Sequence, residues 1–410
     1  MSNEVIIVGA GLAGLTCALR LQQAGRTCVI LEAAEAVGGR LRTDVVEGFR
    51  LDRGFQVLLT AYPEARRWLD YAALDLRAFN PGARVQTETG LHRVADPFRQ
   101  PEHLWATLRA PVGSLFDKLR IATLRSRARR GSLEEVLQRP ETTTLAALQG
   151  HGFGVDMIER FLRPWLGGIF LERELTTSSR MMEFVFRMLA EGDAAVPARG
   201  MQAIPDQLAA GLAAGTLRLN TPVAAVAPEG VRLVSGEHLC AAHVVIATDG
   251  AGASGLLPEV TAPAWRSTVT VYFQAPHSPV DEATLLLNGQ AGGRVNHVAV
   301  MSDVAADYAP FGKALMAVSI LGAAVESDEV LAAQVQAELT AWWGKQVREW
   351  RMLKTVRVRH ALPVRLPLVS EPARPVRPGV WVCGDHRDTA SIQGAMQSGR
   401  VTADAIILPA

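Results

Sequence analysis

The sequence predicts an α/β fold in which a Rossmann-like dinucleotide-binding domain is interrupted by an inserted α+β domain, and three observations point to it. The chain begins with a short apolar strand, a GxGxxG turn and a helix. Its middle portion becomes helical and rich in Arg, Leu and Ala. Near the C-terminus a second apolar strand, GVWVCGD, runs into a loop and a glycine-punctuated helix. At 410 residues the chain is too long for one hydrophobic core, which favours two domains or one domain interrupted by another.

In EVIIVGAGLAGLTCALRLQQAG, Val5 to Val8 form a buried strand and the helix runs through Leu21. Gly9 permits the tight turn, Gly11 lets the backbone approach a pyrophosphate, and Gly14 lets helix and strand pack closely. Free N–H groups and the dipole at the helix start attract phosphate. Gly25 ends the helix. The strand TCVILE then finishes at Glu32, placed to accept hydrogen bonds from both hydroxyls of an adenosine ribose, and an acid there disfavours a 2′-phosphate. These features leave NAD and FAD both open. The continuation EAAEAVGGRLRT adds Gly38 and Gly39 before Arg40, Arg42 and Thr43, and bare backbone beside guanidinium is phosphate chemistry.

Strand, GxGxxG, Glu32, GGR and the following LDRGFQ together resemble the FAD-binding signature of the flavin amine oxidase, protoporphyrinogen oxidase and phytoene desaturase superfamily. The resemblance implies FAD, and it implies that Asp52, Arg53, Gly54, Phe55 and Gln56 pass close to the flavin ring. Read without it, LDRGFQVLL is an ordinary strand with a bulge at Gly54.

From Thr60 to about Arg199 the short Val/Ile strands give way to helix, as expected of an inserted substrate domain. GSLFDKLRIATLRSRARRG places Leu115, Phe116, Leu119 and Ala122 on one helical face and ends in Arg125, Arg127, Arg129 and Arg130. That cluster reads either as a solvated helix end or as a dock for anionic lipid headgroups. Farther on, Trp165, Ile169, Phe170, Met181, Met182, Phe184, Phe186 and Met188 form a plastic apolar group, mostly core, in a region resembling the superfamily's substrate-pocket helices.

The nucleotide domain resumes after VPARGMQAIPDQL. The resemblance implies that Val223 reads the adenine through its backbone, and that Thr248, in the turn Ala247-Thr248-Asp249, faces the cofactor. STVTVYFQAP, HVAVMSD and ALMAVSILG read as strands of a sheet over the flavin, with Lys313 solvated in the turn PFGKAL. A helix follows over about Glu326 to Trp343, then an edge or pocket strand stopped by Pro363 and Pro367. His360 on that strand either faces the substrate cavity or is an incidental hydrogen-bonded side chain. The division expected is a discontinuous FAD-binding domain over 1–60, 197–262 and 368–410, with a substrate-binding domain over 61–196 and 263–367.

GDHRDTASIQGAMQSGR, by resemblance, is the second FAD element. Gly384 and Asp385 would bond the ribityl or pyrophosphate portion, and the backbone N–H groups near Ser391, Ile392 and Gln393 would face the flavin pyrimidine edge. A helix N-terminus there stabilises the negative charge of reduced flavin. By the same resemblance, Ser391 stands where amine oxidases place a cage aromatic, which implies that the cage is missing, and ASIQGAMQSG looks closer to the carotenoid desaturase pattern. Cys383, inside a strand, argues against covalent flavin attachment.

The expectation is therefore a noncovalent FAD oxidoreductase moving hydride from a C–H bond of a largely hydrophobic, isoprenoid- or carotenoid-like substrate to flavin N5. A flavin amine oxidase, a protoporphyrinogen oxidase-like enzyme and a non-catalytic flavin-binding protein are the alternatives. His386 is the first candidate for proton handling, with Gln56, His360 and Gln393 behind it; otherwise His386 is a loop residue exposed to water. Lys+Arg 42 against Asp+Glu 41 gives no general pull toward nucleic acid. Cys17, Cys28, Cys240 and Cys383 lack metal or disulfide spacing and read as reduced thiols packed in a core, with no metal site. A cytoplasmic protein follows, with no secretory leader and no apolar run long enough to span a bilayer, at most peripheral on the inner membrane face.

Overall fold

The computed structural model describes residues 3–227, 229–368 and 372–408. The strand Asn3–Val8 lies parallel to Cys28–Leu31 on one side and to His238–Ile246 on the other. Val5, Ile6 and Ile7 are fully buried, as a strand covered on both faces requires. Leu217–Arg218 and Val380–Val382 extend this parallel set, while the hairpin Val223–Ala227 and Gly230–Leu233 pairs antiparallel with the first half of His238–Ile246. The result is a seven-stranded sheet assembled from three distant parts of the sequence.

The helix Leu12–Gln23 packs on this sheet and against the C-terminal helix Ile392–Ile407. Small residues permit both approaches: a Cβ on Gly14 would stand 2.0 Å from Gly9 O, and one on Gly399 would stand 2.1 Å from Ala13 O. Thr16 Oγ1 donates to Met396 O at 3.2 Å, and Arg20 pairs with Asp404 at 2.6 Å, so the two ends of the chain are joined along these helices.

A second seven-stranded sheet runs in the order Arg351–Pro363, Trp265–Ala275, Ala314–Leu321, Val295–Val300, Leu285–Asn288, Gly82–Thr87 and Gly90–Ala95. Its strands alternate between two buried clusters: Leu287 and Ala299 belong to one, while Leu286, Val298 and Val300 belong to the other. The helix Asp328–Trp343 covers the latter side through Leu331, Val335 and Leu339.

Several expectations change here. The stretch Thr60–Arg199 is not all helix, because the hairpin Gly82–Thr87 and Gly90–Ala95 completes the second sheet. Gln86 and Thr87 on it are buried, and Gly90 closes the turn at φ +114°. The apolar stripe of the helix Leu115–Ala128 is not in the core: Leu115, Phe116 and Leu119 are exposed. Of the thiols, Cys17 and Cys383 are buried and Cys28 is half-buried, but Cys240 is exposed on its strand. No helix among the described residues is long and apolar enough to cross a membrane.

Candidate functional site

A cavity of about 1010 Å³ extends from the C-terminal ends of the parallel strands to the helices of the middle segment, with the second sheet as one wall. Gly9, Gly11, Glu32, Arg40 and Thr248 line one end. Phe161, Trp165, Met181 and Phe186 line the other.

The glycine end has the shape a dinucleotide needs. Gly9 turns at φ +106°, a conformation side chains oppose. A Cβ on Gly11 would meet nothing within 4 Å, and one on Gly39 would lie 3.6 Å from Gly11 Cα, so two bare backbones face each other across open space. Gly38, at φ +116°, makes the turn that brings Gly39 there, and Gly14 serves packing rather than lining. Glu32 is held at the rim by Ala10 N at 2.7 Å and Ala34 N at 2.9 Å, which leaves carboxylate lone pairs for hydroxyl donors. Thr221 N donates to Glu32 O at 2.8 Å, placing Val223 on the cavity wall beside the acid.

Arg40 ties the two glycine elements together. Its Nη2 lies 2.6 Å from Asp385 Oδ1, its Nη1 donates to Ala361 O at 2.9 Å, and its guanidinium stands 5.7 Å from the Trp265 ring. Arg42 departs from expectation: it pairs with Glu35 at 2.5 Å and does not line the cavity, although Arg40 and Leu41 before it do. Gly384, at φ +148°, donates its N–H to Ser398 Oγ at 3.1 Å, so the loop is anchored to the helix that follows. Ser391 caps that helix through Gly394 N at 3.1 Å, and Ser391 and Ile392 line the cavity. The positive end of a sixteen-residue helix thus meets the cavity.

The proton-handling candidates fare differently. His386 is neither exposed to water nor in the cavity: it is buried under the loop, both ring nitrogens lack a hydrogen-bond partner among the described residues, and burial pushes its pKa down to about 4. His360 faces outward, half exposed, stacked on Trp265 at 5.0 Å with Nδ1 3.5 Å from Asp249. The strand shifts register between Val358 and Leu362, and Ala361 lines the cavity there while His360 does not. Gln393 is committed to the fold, accepting from Glu64 N at 2.8 Å and donating to Gln397 at 3.0 Å. Gln56 does line the cavity; its Nε2 donates to Arg40 O at 3.1 Å and its Oε1 has no partner among the described residues.

Beside it, Gly54 and Phe55 also line the cavity, Gly54 turning at φ +93° and Phe55 N donating to Thr270 Oγ1 at 3.1 Å. Asp52 points away into the core, where it accepts from Tyr308 Oη at 2.7 Å and Met201 N at 2.9 Å; burial raises its pKa to about 6.

His297 was missed by the sequence reading. It sits on the cavity wall, its ring edge-on to Phe55 at 4.9 Å, with burial pushing its pKa down to about 4. Asn296 Nδ2 lies 2.9 Å from Pro164 O and 2.9 Å from His297 Nδ1. A carbonyl oxygen only accepts, so it orients the amide nitrogen toward both neighbours. His297 Nδ1 then accepts, and the neutral ring carries its proton on Nε2, an atom without a partner among the described residues. A lone His in HVAVMSD gave no signal of this, since only pairing across the sheet reveals the neighbours.

The far wall is aromatic and sulfur-rich. Phe161 stacks on Trp165 at 5.6 Å, and Trp165 meets Phe186 edge-on at 5.2 Å. Ile169, Phe170 and Met181 complete it, whereas Met182, Phe184 and Met188 are core. Tyr62, stacked on Phe184 at 5.8 Å, lines the cavity with its hydroxyl bonded to Ser391, which leaves it without an aromatic partner across that site.

A Rossmann-type fissure opening into an apolar chamber is the arrangement of a dinucleotide-binding protein with room for a second, largely apolar ligand. The chain belongs to the flavin containing amine oxidoreductase family, whose model matches residues 12–407. It is 27% identical over 166 residues to protoporphyrinogen oxidase 2 of Arabidopsis thaliana, covering 40% of this chain and 32% of that one. It is 39% identical over 75 residues to putrescine oxidase of Kocuria rosea, covering 18% and 16%. The matched stretches thus span a third or less of these curated relatives. Among solved structures, an oxidoreductase from Methanosarcina mazei superposes with a TM-score of 0.75 at 18% identity over 98% of this chain and 99% of that one. A putrescine oxidase variant gives 0.72 at 17% identity over 99% of each chain, showing a shared fold.

Proposed function

We propose that this FAD-dependent oxidoreductase removes hydride from a C–H bond of a largely hydrophobic molecule, in an isoprenoid- or carotenoid-like desaturation. The observation that supports it most is the chamber beyond Phe55, walled by Phe161, Trp165, Met181 and Phe186. Ser391 supports it too, because an amine cage needs a second aromatic face at that position and Tyr62 has only a serine opposite it. Bound FAD supplies the acceptor of two electrons. The substrate loses hydride from one carbon and a proton to water from its neighbour, and the remaining electron pair forms the double bond.

The chain's own contributions follow from the geometry. The backbone at Gly9, Gly11 and Gly39 would hold the pyrophosphate and Glu32 the ribose, with the Arg40–Asp385 pair locking the two elements. The helix start at Ile392 would favour negative charge on the reduced pyrimidine ring. His297, a neutral ring edge-on to Phe55, would help hold that residue in the cavity wall.

A second reading, protoporphyrinogen oxidase-like chemistry, is favoured by the Arabidopsis relative and by Lys118, which lines the cavity near its rim and would suit a carboxylate. Amine oxidation is the third. Mass spectrometry of copurifying lipids and pigments, followed by anaerobic mixing with the compound found, tests the proposal. Bleaching of the flavin bands by an apolar polyene precursor is the expected result; hydrogen peroxide release with simple amines and no bleaching by apolar compounds would overturn it.

A further inference from the structure

The chain as a whole is balanced in charge, but residues 97–130 hold eight Arg or Lys and two acids. One of those acids, Asp117, is withdrawn into the fold, accepting from Ser114 N at 2.9 Å and Gly154 N at 2.9 Å. The same segment displays the chain's densest group of exposed apolar side chains. Trp105 is 70% exposed, Phe116 72%, Phe98 62% and Leu119 65%, on the helices Leu104–Arg109 and Leu115–Ala128 and the loop before them.

This patch is also the rim of the cavity. Phe98 and Leu119 line it while remaining exposed, whereas Trp105 and Phe116 do not line it and project outward. Arg125 stands 4.9 Å over the Phe98 ring and pairs with Asp96, and Arg127 pairs with Glu183, so these two serve the fold. Arg109, Arg129 and Arg130 have no ion pair among the described residues. The cations free for an external partner therefore flank the aromatic group at the C-terminal ends of both helices.

We infer that this rim docks on the surface of a lipid bilayer containing anionic lipids. Trp105 and Phe116 enter the boundary between headgroups and acyl chains, and the flanking arginines lie at the phosphates. Aromatic rings with a polar edge favour that boundary, and a polybasic segment adds attraction to negative lipid. A second copy of the chain fits less well, since the same patch on both sides would set like charges face to face. Docking would open the cavity toward the membrane interior; that consequence, a route for a lipophilic substrate, rests on the desaturase reading, while docking itself does not.

The test is sedimentation of FAD-loaded protein with vesicles of phosphatidylcholine alone or with about one third phosphatidylglycerol. Wild type is expected to sediment with the anionic vesicles and to be released by salt. Trp105→Ala with Phe116→Ala should weaken binding by about 100-fold or more, judged from the apolar area removed, with flavin absorbance and melting temperature unchanged. Wild type remaining in the supernatant with anionic vesicles, equal binding to neutral ones, or a double variant that sediments like wild type would each overturn the inference. So would a wild-type dimer that the double variant converts to monomer without vesicle binding. Vesicle binding without bleaching by any apolar substrate keeps the docking surface and sinks the substrate reading; bleaching without vesicle binding does the reverse.

Discussion

Gly11→Ala and Gly14→Ala add the same methyl group three residues apart and are expected to fail differently. At Gly11 the backbone sits at φ −74°, open to any residue, and the new Cβ meets nothing within 4 Å. Apoprotein stability should change by less than about 1 kcal/mol, since Ala is the poorer N-cap but also removes backbone freedom from the unfolded chain. The methyl would occupy the space where backbone approaches pyrophosphate, and a forced fit of that size costs about 1–3 kcal/mol, roughly fivefold to 150-fold in FAD affinity.

At Gly14 the helix interior would ordinarily gain about 1 kcal/mol from Ala. Here the Cβ would stand 2.0 Å from Gly9 O, where ordinary contact begins at 3.4 Å, so helix and strand must part by more than an ångström. The helix also touches Gly399 closely, so withdrawal disturbs a second interface, and a net loss of about 1–3 kcal/mol is expected. Urea unfolding of the apoproteins and FAD titration followed by flavin fluorescence separate the two effects. Equal destabilisation of both apoproteins, or wild-type FAD affinity in Gly11→Ala, would refute the reasoning.

Arg40→Met should destabilise by about 3 kcal/mol, because Asp385 is left charged and nearly buried; adding Asp385→Asn should recover part of that loss in urea midpoints. His386 and His297 have folded pKa values of about 4 against about 6.5 unfolded, so the unfolded chain takes up protons first as pH falls. The stability each contributes is fully present above about pH 6.5 and is lost toward pH 4, about 3 kcal/mol per residue. His386→Gln should therefore flatten the fall in urea midpoint over that window, and a profile parallel to wild type would count against burial of a neutral ring.

The cofactor end was legible because its signals are local. Turns that need positive φ require glycine at Gly9, Gly38 and Gly54, and phosphate approach requires bare backbone at Gly11; such demands leave a mark within a dozen residues. The buried strand Asn3–Val8 and the capped helix Ile392–Ile407 likewise depend on their own letters. Side-chain roles were less legible. His386 lies beside a proposed flavin loop in sequence, yet the 3₁₀ turn at Asp385–Arg387 aims it beneath the loop. His360 stays outside the cavity that its neighbour Ala361 lines, on an edge strand whose pairing shifts register at that point.

By itself the sequence determined the nucleotide fold, the FAD signature and the absence of an aromatic residue at Ser391, since each follows from backbone conformations or residue types set by short stretches. Only the tertiary structure decided that Arg40 meets Asp385 across 345 residues, that Asn296 and Pro164 hold the His297 proton on Nε2, and that the Leu115–Leu119 stripe faces solvent at a cavity rim instead of the core. Those are relations between segments brought together by sheet pairing and helix packing. A pattern of residues along one element shows which side is apolar, but what covers that side depends on every other element of the fold.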